Sequence, residues 1–141
     1  MSSLSQGRRL IRLLPLLLFL SQCSLGPSAS EKAEAGRLNR AVEQLRAAPN
    51  AQKGELLEAL KSVNCENSEL CELKRACIEG YRQHVSALAE TARAKSLLAM
   101  PEGAAEAARV LDLAQSELAQ AAPRINHCTD AQGAAQRKYK L

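Results

Sequence analysis

The fold turns on the stretch Cys71–Cys128, CELKRACIEGYRQHVSALAETARAKSLLAMPEGAAEAARVLDLAQSELAQAAPRINHC, whose apolar residues return every seven positions. In its first half Cys71, Ile78, Val85, Ala92 and Ala99 form one row, with Tyr81 and Leu88 between them. In its second half Ala104, Leu111, Leu118 and Ile125 alternate with Ala107, Ala114, Ala121 and Cys128. Heptad rows of this kind belong to helices that pack on helices. Pro101, followed by Glu102, reads as the first residue of the second helix, because proline suits that position. Folded antiparallel about Ala99 and Met100, the two helices set Cys71 beside Cys128, Ile78 beside Ala121, Tyr81 beside Leu118 and Leu88 beside Leu111. Large residues then often face alanine, which permits close approach. Lys74 and Lys95 interrupt the rows and are expected to reach outward.

This register bears on the cysteines. Cys65, Cys71 and Cys77 are spaced six apart, and Cys128 is their only distant partner within the body of the chain. The pairing favoured is Cys71–Cys128 with Cys65–Cys77. A register shifted by one heptad gives Cys77–Cys128 with Cys65–Cys71, at the expense of a longer loop through MPEGAA and of the helix start at Pro101. Cys71–Cys77 is excluded, since six residues of one helix separate them by about 9 Å.

Upstream, the composition stays rich in Ala, Leu, Glu, Lys, Arg and Gln, which favour helix. Leu38, Val42 and Leu45 mark a helix that ends before Pro49, and Ser28 to Glu31 has the spacing of a capping box. Asn50 is placed to cap a second helix carrying Leu56, Leu57, Leu60 and Val63. Asn67 or Ser68 is placed to cap the long helix that follows, which runs to about Leu98. Pro123 is expected to kink or restart the last helix, which then trails into the polar TDAQGAAQRKYKL. The fold expected is all-α: a disulfide-stapled antiparallel hairpin with two shorter N-terminal helices.

The chain opens MSSLSQGRRLIRLLPLLLFLSQC. Arg8, Arg9 and Arg12 precede an apolar run from Leu13 to Leu20, the layout of an export signal. The run falls well short of the about 20 apolar residues that span a bilayer. The expected organisation is an export signal over 1–22, a tether over 23–36 and a helical domain over 37–141. Leu20, Ser21, Gln22 and Cys23 resemble the lipobox of bacterial lipoproteins, with Gln22 where a small residue is usual. The resemblance implies lipid attachment at Cys23, a membrane partner through that anchor, and outer-membrane sorting from Ser24. The alternative is an ordinary signal cut near GPSAS, leaving a secreted or periplasmic protein. Either cleavage takes Cys23 out of disulfide chemistry and leaves four cysteines to pair, an even number that suits disulfides. The ending RKYKL is similar to the tail of murein lipoprotein, which is joined to peptidoglycan through a terminal lysine. Leu141 follows Lys140 here, and the tail reads more simply as a solvated C-terminus.

Composition excludes several functions. With the three arginines of the head set aside, nineteen basic against fifteen acidic residues become sixteen against fifteen, a formal +1. That gives no basic patch for nucleic acid. Gaps of five residues between cysteines are not zinc-ligand spacing, and there is no C-x-x-C redox pair. His84 and His127, the only histidines, accompany no nucleophile motif or phosphate loop. No metal, cofactor or catalytic residue is expected, and Tyr81 is assigned to the core. The function expected is that of a non-enzymatic cell-envelope scaffold or binding partner. The alternative is a binding module for a protein or peptide, recognising it between the N-terminal helices and the hairpin, which would leave Leu56, Leu57 and Leu60 exposed.

Overall fold

A computed structural model describes residues 26–141; the export segment and Cys23 lie outside the described residues. Four α-helices follow one another: α1 (Ala29–Ala47), α2 (Lys53–Ser62), α3 (Ser68–Leu98) and α4 (Ala104–Tyr139), with a 3-10 turn at Asn50–Gln52 leading into α2. The all-α hairpin with two shorter N-terminal helices is therefore observed.

Local chemistry sets the boundaries. Ser28 caps α1 in a reciprocal box: the Glu31 amide donates to Ser28 Oγ at 3.1 Å and the Ser28 amide to Glu31 Oε2 at 2.8 Å. Helix α1 therefore begins inside the stretch read as tether. Asn67 caps α3, its Oδ1 accepting from the Glu69 and Leu70 amides at 3.0 and 3.2 Å. Asn50 makes no side-chain cap; it opens the 3-10 turn, and α2 starts three residues later.

Three expectations for α4 require correction. Pro101 does not start the helix. It occupies the second position of a turn closed by the Gly103 amide on Met100 O at 3.1 Å, where proline's fixed φ also fits. Gly103 is required there, because a Cβ would lie 1.9 Å from Leu97 O. Pro123 does not restart the helix, which runs unbroken for 36 residues. Its ring is exposed, while Ala121 and Cys128 on either side are buried against α3. Nor does the tail trail away. Gln132 and Tyr139 are buried, Ala131 and Ala135 pack on the core, and α4 closes at left-handed Lys140 with the Leu141 amide on Gln136 O at 3.1 Å.

The longer turn moves the register. Cys77, not Cys71, is bonded to Cys128, and Cys65 is bonded to Cys71. The favoured pairing is thus replaced by its one-heptad alternative. The seam runs through Cys77, Gly80, Ala87 and Ala94 of α3 against Ala107, Ala114, Ala121 and Cys128 of α4, all buried. At Gly80 the backbones nearly touch: a Cβ would lie 2.9 Å from the Ile125 nitrogen and 3.1 Å from Arg124 O. The bridged Cα atoms of Cys77 and Cys128 stand 4.6 Å apart.

Helices α1 and α2 cover only the base of the hairpin. Leu38, Val42, Leu45, Leu57 and Leu60 form a core there with Leu70, Leu73, Tyr81 and Tyr139. Helix α2 runs antiparallel to α3: Gly54 lies by Val85, while Lys74 Nζ donates to Lys61 O and Val63 O, both at 2.6 Å. Lys74 thus closes the C-terminal end of α2, where a cation meets unsatisfied carbonyls.

Candidate interaction surfaces

Buried polar groups lock the base. Glu34, 5% exposed, accepts from the Glu66 and Asn67 amides at 2.7 and 3.2 Å, placing a carboxylate at the N-terminal end of α3. Lys53 Nζ donates to Leu45 O and Arg46 O at 2.9 and 3.0 Å and lies 5.9 Å from the centre of the Tyr81 ring. Gln132 donates to Asn39 Oδ1 and Glu43 Oε1 and accepts from Arg46, tying α4 to α1. His84 packs edge-on against Tyr81, and its pKa is lowered by partial burial and by the Lys53 charge. Tyr81 belongs to the core, as expected.

A groove of about 330 Å³ lies between the start of α3 and the end of α4. Leu70, Leu73, Ala131 and Ala135 line its apolar part, and an ion pair between Lys138 and Glu69 bridges its rim. That pairing raises the Lys138 pKa, chiefly through the hydrogen bond to Glu69. The Tyr139 ring also lines the groove, and its buried hydroxyl has no hydrogen-bond partner among the described residues. His127 sits at the same groove while His84 faces α2, so the two histidines are not brought together. Among the described residues no three His, Cys, Asp or Glu side chains converge as a metal site.

The outer half of the hairpin is different. Its two long sides are unlike. On one, Gln83 bonds Gln120 at 3.2 Å, Ser86 bonds Glu117 at 3.0 Å, and Arg93 pairs with Glu106 at 3.6 Å, with Leu113, 50% exposed, as a lone large apolar residue between Glu106 and Gln120. The other side carries Leu88 and Ala92 of α3 with Ala104, Ala108, Leu111 and Leu118 of α4. These positions share a side because the right-handed helices run in opposite directions, so stepping one residue past the seam turns both the same way. Leu111 and Leu118 are 37% and 40% exposed. This apolar side continues the one that α1 and α2 cover at the base, where Val85 and Ile125 pack on the core.

The sequence pattern had placed Leu111 and Leu118 in the seam, opposite Leu88 and Tyr81; the shifted register leaves them at its edge. Of the three leucines expected outside if the N-terminal helices frame a binding groove, Leu57 and Leu60 are core residues, 3% and 0% exposed, and Leu56 is half-buried against them.

The described chain is a two-disulfide helical hairpin braced at one end, and its disulfides point to an oxidising, extracytoplasmic setting. No described helix is long and apolar enough to cross a membrane. Compared with known proteins, the chain matches no family model, and no curated protein or solved structure shows significant similarity to it.

Proposed function

We propose that the chain is an exported, non-enzymatic scaffold of the cell envelope, held at a membrane by lipid on Cys23, with the outer half of the hairpin as its docking surface. The observation that supports this most is the apolar side bearing Leu88, Leu111 and Leu118, which stands clear of the braced base. Large apolar side chains gathered on one open side of a helix pair, as exposed Leu111 and Leu118 are beside half-buried Leu88, mark interaction sites. The disulfides and the basic-then-apolar start support export, and the Leu-Ser-Gln-Cys sequence supports the lipid. The base serves to present the hairpin: short polar links fasten α1 to α3 and α4, and two covalent bonds pin α3 to its surroundings.

Two measurements test the reading. Mass spectrometry of the mature N-terminus is expected to find acylated Cys23; an unmodified start beyond Cys23 removes the anchor. A photo-crosslinking residue in place of exposed Gln115, on the apolar side, is expected to yield protein adducts in intact envelopes. No adduct at that position removes the docking surface.

A further inference from the structure

We infer that the partner of the outer hairpin is a second copy of this chain, packed antiparallel through the same apolar side. This rests on the docking surface proposed above and is independent of the lipid on Cys23. Three features of the molecule lead to it.

The first is shape. Helices α1 and α2 form a layer one helix thick whose outer edge is the Asn50–Gln52 turn and the start of α2, where Gly54 lies beside Val85. Beyond it α3 continues to Leu98, about 13 residues or roughly 20 Å of bare ledge. The chain is thus a step and a ledge. Two such pieces fit when turned end for end, each ledge lying on the other and ending against the other's step. In a parallel arrangement step meets step, and layers about 10 Å thick on each copy hold the ledges apart. A two-fold, self-complementary contact is the geometry most homodimers use.

The second is continuity. The ledge extends the side that already packs against α1 and α2 through Ile78, Val85 and Ile125. A second copy supplies Leu88, Leu111 and Leu118 where the chain's own N-terminal helices stop. Four helices then surround the ledges, as in a four-helix bundle.

The third is charge. Lys95, on α3 at the outer end of the ledge, is exposed, as is Glu55 in the first turn of α2 at the outer edge of the step. Among the described residues neither makes an ion pair. Antiparallel packing brings Lys95 of each copy to Glu55 of the other, and the parallel alternative would set Lys95 against Lys95.

The test uses two differently tagged full-length chains expressed together, with a photo-crosslinker at Gln115. An adduct joining both tags at twice the chain mass is expected. Lys95→Glu alone, or Glu55→Lys alone, should lower its yield roughly five-fold, and the two changes together in each chain should restore it. Leu111→Glu with Leu118→Glu should abolish it, with formation of the Cys77–Cys128 disulfide as the check on folding. If adducts form only with other proteins, the inference falls while the docking surface stands; if none form, both fall. A tag-to-tag adduct indifferent to the charge exchange also overturns it.

Discussion

Lys53 is a nearly buried cation that makes no ion pair among the described residues; the last carbonyls of α1 hold its ammonium instead. Replacing it with methionine keeps the stem and removes both hydrogen bonds. A loss of about 1–3 kcal/mol in chemical denaturation is expected. The same change should raise the pKa of His84 toward 6.5 in an NMR titration, since the Lys53 charge helps to hold it down. The sign for stability follows. The folded chain binds the His84 proton more weakly than the unfolded chain does, so this contribution is complete above pH 6.5 and is lost as pH falls from there through the folded pKa. His84→Gln should flatten that part of the stability profile. Glu34 works the opposite end of the core, and Glu34→Ala leaves two backbone amides without their carboxylate acceptor. It should cost about 1.5–3 kcal/mol in the same denaturation assay. None of these roles was visible in sequence: Lys53 and Glu34 look like ordinary surface charges until α1 and α2 are folded back onto α3.

At the scale of elements, two glycines with the same helical backbone predict opposite outcomes. Gly80→Ala drives a methyl group into the α4 backbone at Arg124 and Ile125, where nothing flexible can yield. It should destabilise by about 1–3 kcal/mol in thermal or chemical unfolding. Gly133→Ala meets only the guanidinium end of Arg137 at 3.4 Å and should stabilise by about 0.5–1 kcal/mol. Helix types, order and three boundaries were legible: the Ser28 box, the Asn67 cap and the stop at Leu98 all rest on local chemistry. The register was not. A heptad pattern looks the same after a shift of seven residues, so the turn had to decide, and Pro101 is compatible with both a helix start and a β-turn. Gly103 two residues later was the available signal for the turn, because glycine favours its fourth position. Leu111 and Leu118 carry the spacing of buried residues for a related reason. The pattern records an apolar side but not whether anything within the chain covers it.

For the whole molecule, the two disulfides should contribute unequally. Cys77–Cys128 closes a loop of 51 residues and Cys65–Cys71 one of 6. In the chain-entropy description these correspond to about 4 and 2 kcal/mol. Paired serine variants, compared by denaturation, should rank in that order. The long bond fixes the register on which the ledge, the step and the placement of Leu111 and Leu118 depend. Trypsin separates the alternatives cleanly. Without reduction, the pairing found here gives the 76–82 peptide ACIEGYR joined to the 125–137 peptide INHCTDAQGAAQR. The 62–74 peptide SVNCENSELCELK should appear alone, two hydrogens lighter than its reduced form. Cys71–Cys128 with Cys65–Cys77 would instead tie all three peptides into one species. A non-reducing tryptic map of the mature protein is therefore the most direct measurement. Two separate products support the hairpin described here, and a single three-peptide cluster contradicts it.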